Sequence, residues 1–148
     1  MFQFCFFISI AYSYCVETKP VPPVVRPTNF IGQYYTTGYY TPVAGQNRYY
    51  SGSFEKDLKM NCSGDCLVTA NGHRLQPGEE YRAFACPKNI KLGTRLRVEG
   101  IGTGYCYDRG GSIGKMRLDI WKGIGDEGLD NIYSQERKDG FYSVYYAE

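Results

Sequence analysis

Asp108-Arg-Gly-Gly-Ser-Ile-Gly-Lys-Met-Arg-Leu-Asp119, followed by the apolar pair Ile120-Trp121, is the stretch on which the reading of this chain turns. It places two carboxylates on either side of a Gly-Gly pair. Gly110 and Gly111 carry no side chain and reach positive φ without steric cost, so the backbone can leave one strand and re-enter the same neighbourhood on another. Upstream, Arg95-Leu-Arg-Val-Glu99 and Gly104-Tyr-Cys-Tyr-Asp108 alternate in the manner of strands, and Met116-Arg-Leu-Asp-Ile-Trp121 does the same downstream. Asp108 and Asp119 are therefore expected on one face of a small sheet.

Two carboxylates in a poorly solvated site repel each other and lose hydration, which pushes one pKa upward and leaves that acid able to donate a proton near neutral pH. A pair of this kind suits cleavage of a glycosidic bond. Taken alone, Asp-x-Gly-Gly describes only a turn, with Asp108 opening it and Asp119 at a strand end. The surrounding blocks give it chemical meaning.

Length and charge bound the rest. A chain of 148 residues accommodates one ordinary domain. Its 17 basic and 15 acidic residues leave a net charge of +2, too balanced for a dedicated nucleic-acid surface. The 18 glycines punctuate short strands, so the fold class is expected to be all-β. One short helix is expected over residues 126–133, capped by Asp126 and facing inward with Leu129, Ile132 and Tyr133, and a helical turn near residues 87–90. Phe141-Tyr-Ser-Val-Tyr-Tyr146 alternates well and is expected to close the sheet.

Residues 1–15 read as an atypical export signal: residues 1–14 are apolar and aromatic, uncharged, and too short to span a bilayer as a helix, and Ala11-x-Ser13 offers a cleavage site. Cys15 stands where a lipid-attached cysteine would, but the bulky Tyr14 before it disfavours that use. Residues 16–36 are expected to form a tether, with prolines at 20, 22, 23 and 27, and residues 37–148 the domain proper. Four cysteines follow the signal, and an even number in an exported chain favours two disulfides. Cys62 and Cys66 flank Ser-Gly-Asp, a turn able to bring them into bonding range. A zinc site made from the four thiols, with or without His73, is the competing arrangement. His73 itself, in Asn71-Gly-His-Arg74, reads as an exposed turn residue.

In chain order the sequence carries Thr37-Gly-Tyr-Tyr-Thr-Pro42, Thr69-Ala-Asn-Gly72, Ala85-Cys-Pro-Lys-Asn-Ile-Lys-Leu-Gly-Thr-Arg95, Val98-Glu-Gly-Ile-Gly102, Asp108-Arg-Gly-Gly111, Arg117-Leu-Asp-Ile-Trp121 and Gly123-Ile-Gly-Asp-Glu-Gly128. This order resembles the three-aspartate (3D) cell-wall domain and the catalytic domain of membrane-bound lytic murein transglycosylase A, from about Thr37 to the C-terminus. The resemblance implies a six-stranded double-psi β-barrel, with Asp119 as catalytic acid and base, Asp108 as its supporting neighbour, and substrate contacts from Tyr39, Tyr40, Thr69, Gly110, Gly111 and Lys115. It makes neighbours of the segments holding Cys86 and Cys106, and so implies their pairing beside Cys62–Cys66.

Two departures stand out. Cys86 occupies the place of the family's first aspartate. Arg109 and Ser112 replace its Thr and Ala, and the charge of Arg109 is expected to lower the pKa of Asp108, leaving Asp119 as proton carrier.

The implied activity is nonhydrolytic cleavage of the β-1,4 bond between N-acetylmuramic acid and N-acetylglucosamine, closing a 1,6-anhydro ring. No cofactor and no metal are needed for it. The partner would be the peptidoglycan glycan strand, met by a monomeric protein in the periplasm or cell wall, with no nucleic acid and no stable membrane span. The 15 tyrosines supply flat apolar faces and hydroxyls suited to sugars, although most are expected to be ordinary strand residues. A glycan-binding, expansin-like barrel without turnover is the alternative, favoured by Cys86.

Overall fold

Six strands close on themselves in the order β3-β7-β4-β6-β5-β8. They are β3 (Phe30–Thr41), β4 (Ala83–Ala85), β5 (Arg95–Val98), β6 (Gly102–Asp108), β7 (Arg117–Ile124) and β8 (Gly140–Tyr146). Two short strands, β1 (Phe4–Phe6) and β2 (Tyr14–Val16), form a separate antiparallel ladder. The computed structural model describes residues 4–6, 14–16, 29–62, 64–134 and 138–148. Most of the expected export signal (1–15) and of the tether (16–36) lies outside those residues. β3 begins at Phe30, so residues 30–36, expected as tether, are barrel strand.

Within the barrel, β3/β7 and β4/β6 run parallel and the other neighbours antiparallel. Parallel neighbours need long crossovers, and here segments of strand, turn and helix fill them. The all-β, closed six-stranded fold is the one expected.

Alternation builds the core. On β7, Leu118 and Ile120 face the interior, where they meet Phe84, Leu96, Val98, Cys106 and Val144, all at most 1% exposed. The intervening residues, Asp119 and Trp121, face outward, and Trp121 packs with Tyr39, Leu75, Ala83 and Ala85 in a second apolar cluster against the outer wall. Period-two patterning thus delivers Asp119 to the outside of the barrel, beneath the loops that cover it. Gly104 shows how tightly the wall is packed: a Cβ there would stand 2.2 Å from the Arg82 carbonyl oxygen.

Among the described residues two helices are present where one was expected. α2 (Gly125–Tyr133) is the anticipated one, but its details differ. Ile124 occupies the N-cap without a side-chain bond, and Asp126 instead accepts hydrogen bonds from the Asn47 and Arg48 backbone N–H groups and from Asn47 Nδ2, which ties the 43–50 loop to the helix start. Leu129 is buried as expected, whereas Tyr133 is exposed and stacks on Tyr50.

α1 (Phe54–Asn61) lacks the apolar stripe by which a helix is recognised, because the residue it buries is charged. Asp57 is wholly buried and accepts from the Tyr50 and Ser51 N–H groups at 2.7 Å each and from the hydroxyls of Tyr40 and Ser51. Burial pushes its pKa up, but these donors, led by Ser51 and Tyr40, outweigh that and hold it below the ordinary carboxylate value. The expected helical turn at residues 87–90 is a simple turn closed by Ile90 N–H to the Pro87 carbonyl. Among the described residues no helix is long and apolar enough to cross a membrane.

Candidate active site

One row of outward-facing residues crosses the barrel wall. Thr37 on β3 pairs with Asp119 on β7, Asp119 pairs with Ala85 on β4, and Ala85 pairs with Asp108 on β6. The register slips between Phe84 and Ala85, leaving Tyr107 as an extra residue on β6, and this bulge brings Asp108 level with Ala85 rather than Tyr107. Both acids line one cleft of ≈ 580 Å³.

They are not side by side. Ala85 separates them, so their backbones are two strand spacings apart, about 10 Å. Repulsion from Asp108 is not among the main causes that set the Asp119 pKa. That pKa is raised to about 6, first by burial, with a smaller push from the charge of Asp139. Opposing this are the hydrogen bond from Thr37 Oγ1 to Asp119 Oδ1 at 2.9 Å, the positive charge of Arg117 and the Ile120 N–H. Arg117 Nη2 in turn donates to Thr37 Oγ1 at 3.2 Å, which holds the hydroxyl with its own proton directed at the carboxyl.

Asp108 has a different environment. Its Oδ1 accepts from the Ala70 N–H at 2.9 Å and the Arg109 N–H at 2.8 Å, joining the Thr69–Asn71 turn to the segment that begins at the Gly-Gly pair. The Arg109 guanidinium, expected beside the Asp108 carboxylate, donates instead to the carbonyls of Cys86, Pro87 and Ile90 at 2.6–2.9 Å. It anchors the glycine segment on the 86–90 turn.

Gly110 and Gly111 line the cleft, but neither adopts positive φ. Gly110 is required for room: a Cβ there would come 2.5 Å from Ile113 Cγ1.

The remaining expected contacts divide. Thr69 lines the cleft, yet its hydroxyl is turned into its own turn, toward Asn71 Oδ1 and the His73 carbonyl. Tyr39 lines the cleft at 8% exposure, too little ring face for a sugar to stack upon. Tyr40 is 1% exposed and points away: its hydroxyl donates to Asp57 and accepts from Gln46, and burial with the Asp57 bond pushes its pKa up to about 12. Adjacent strand residues face opposite sides, so Tyr39 and Tyr40 could not share one groove. Lys115 is exposed on the 109–116 segment and is not among the residues lining the cleft.

His73 is half-buried rather than exposed, stacked on Tyr107 at 4.1 Å with Nε2 bonded to Glu79 at 2.9 Å. Both disulfides form as expected, Cys62–Cys66 at the cleft rim and Cys86–Cys106 in the barrel interior, so the four thiols hold each other and not zinc. Among the described residues no group of three or more His, Cys, Asp or Glu could hold a metal ion. Cys86 turns into the core, away from the cleft that a carboxylate at its place would have to reach.

Three contributors were missed: Thr37, Arg117 and Asp139. Arg117 stands two residues before Asp119 on the same strand face, a signal readable in the sequence. Thr37 opens the quoted Thr-Gly-Tyr-Tyr-Thr-Pro block, but its pairing with Asp119 depends on a parallel register between segments 82 positions apart.

No family model matches the chain, and no curated protein does. Among solved structures it is similar to a lytic transglycosylase, LtgG, of Burkholderia pseudomallei, with 23% identity and a TM-score of 0.39, over 59% of this chain and 29% of that one.

Proposed function

We propose that this barrel is an exported lytic transglycosylase acting on peptidoglycan, with Asp119 as the single proton carrier. The observation that carries the reading is the poise of Asp119: a partly buried carboxyl in an open cleft, its pKa brought to about 6 and its orientation held by Thr37. A group that must donate and then accept one proton works best with a pKa near the working pH.

Protonated Asp119 gives its proton to the glycosidic oxygen as the bond from that oxygen to C1 of N-acetylmuramic acid breaks. The C6 hydroxyl of the same sugar attacks C1 and releases its proton to the Asp119 carboxylate, which regenerates the acid and leaves a 1,6-anhydro end. The nucleophile lies within the substrate, so no second carboxylate has to activate water. Asp108 then serves by holding the 69–71 turn and the glycine segment as cleft walls. Gly111, with open space where a side chain would stand, lets a glycan approach the backbone, Gly110 admits Ile113 beside the segment that forms this wall, and Lys115 meets the strand outside the cleft. The two disulfides support a site of action in an oxidising compartment, where the protein works as a monomer without cofactor.

A second reading, an expansin-like barrel that binds glycan without cleaving it, is favoured by one observation: Cys86 is locked in a disulfide where the resembled pattern has a carboxylate. Digestion of purified peptidoglycan followed by mass spectrometry separates the two. The first reading expects 1,6-anhydromuropeptides from the wild type and none from Asp119→Asn. Glycan pulled down intact, with no anhydro product at pH 5–7, would leave the second.

A further inference from the structure

Phe141 on β8 is the most exposed large apolar side chain among the described residues, at 70%. It does not stand alone. Tyr35 on β3 is its partner across the strands and is also exposed, and the two rings meet edge to face with centroids 5.2 Å apart. Apolar side chains scattered singly over a surface are ordinary, whereas adjoining ones mark a contact surface. Strand pairing does not account for the exposure: an edge-to-face contact covers one side of a ring, and most of Phe141 is left in water.

Tyr35 stands two residues before Thr37 on β3, and with Tyr34 and Thr36 buried, alternation turns Tyr35 and Thr37 to the same outer face. On β7 the partner of Tyr35 is Arg117 and that of Thr37 is Asp119. Phe141, Tyr35 and Arg117 therefore form a row across three strands, about 7 Å along the sheet from the row that holds Thr37 and Asp119. Neither ring is among the residues lining the cleft, but Arg117 is, and it joins the rings to the site.

On the far side of the rings the next pair is Gln33 with Ser143, an amide and a hydroxyl. Two apolar rings thus lie between uncharged hydrogen-bonding groups and a guanidinium. That mixture suits a sugar, which has an apolar C–H face and a rim of hydroxyls, better than an apolar helix, which needs a continuous stripe of large side chains. The positive charge of Arg117 also suits peptidoglycan, whose muramic sugars carry carboxyl-bearing groups.

We propose that Tyr35 and Phe141 form an accessory subsite that holds a peptidoglycan strand beside the cleft, with the C–H face of an N-acetylhexosamine ring stacked on Phe141 and Tyr35 at its edge. The strand passes over Arg117 on its way to Asp119. Binding energy gained there, away from the reacting bond, helps to hold the sugar at Asp119 in place. This subsite rests on the reading that glycan occupies the cleft, and it takes the stacking role expected of Tyr39 and Tyr40, whose rings are buried.

The experiment is an NMR titration of full-length Asp119→Asn protein, which keeps strands uncut, with soluble peptide-free glycan oligosaccharides from peptidoglycan. The ring signals of Phe141 and Tyr35 should shift, and those of Tyr133, an exposed ring on α2, should not. Phe141→Ala in the same background should weaken binding by about tenfold, the order for truncating an aromatic anchor, and Phe141→Tyr should restore it. Ring signals that stay in place throughout the titration, or an undiminished affinity in Phe141→Ala, would overturn the subsite. So would a dimer that Phe141→Ala dissolves, since a second copy would then cover the rings. Product analysis on the wild type reads the cleft separately: anhydro products without ring shifts would defeat the subsite alone, and ring shifts without anhydro products would defeat the transglycosylase reading alone.

Discussion

Replacing Asp119 by Asn should have no effect on stability in acid and a stabilising one in mild alkali. The folded protein raises the Asp119 pKa from 3.8 to about 6, so it binds a proton more tightly than the unfolded chain does. Stability from this group is therefore fully present below pH 4 and is lost as the pH rises through 6. At 1.36 kcal/mol per pKa unit the loss amounts to about 3 kcal/mol, a ceiling because the carboxyl is not fully sealed from water. Asn can still accept the Thr37 hydrogen bond and carries no charge, so Asp119→Asn should match the wild type near pH 4. Near pH 8 it should exceed the wild type by about 1–3 kcal/mol. Urea unfolding of both proteins at pH 4, 6 and 8, with disulfides intact, measures this directly. Parallel curves at all three pH values would refute the claim that burial dominates the Asp119 environment, and with it the physical basis for a proton carrier there.

Thr37→Val removes the donor that opposes burial, so the Asp119 pKa should move above 6 and the alkaline limb of any activity profile should shift upward with it; an unmoved limb would count against the Thr37 bond. Asp57→Ala strands the Tyr50 and Ser51 N–H groups and the Tyr40 hydroxyl, and should cost about 3 kcal/mol in thermal or urea unfolding, far more than an exposed helical Asp would. Opening the Cys86–Cys106 bridge, which spans 20 residues, by a paired Ser substitution should cost about 3 kcal/mol of unfolding free energy. The same change at Cys62 and Cys66, four residues apart, should cost less and act on the cleft rim.

Much of the barrel was legible because its strands are simple two-residue patterns. Leu118, Asp119, Ile120 and Trp121 alternate inward and outward as their chemistry demands, and the same rule separates Tyr39 from Tyr40. Placing both tyrosines in one groove therefore contradicted a rule already in use for β7. α1 escaped notice for the opposite reason. Its buried residue is Asp57, and a hydrophobic pattern cannot register a helix held by hydrogen bonds to a carboxylate.

The pattern of apolar and polar residues by itself determined an all-β chain with Asp108 at the end of one strand and Asp119 inside another, since side-chain alternation is a local property of extended backbone. Only the tertiary structure decided what those acids meet. The parallel register of β3 on β7 sets Thr37 against Asp119, the bulge at Tyr107 levels Asp108 with Ala85, and Ala85 stands between the two acids in the sheet. A pKa depends on burial and on the charges within a few ångströms, and here those neighbours come from strands distant in the chain, so closure of the barrel was needed to create the environment of Asp119.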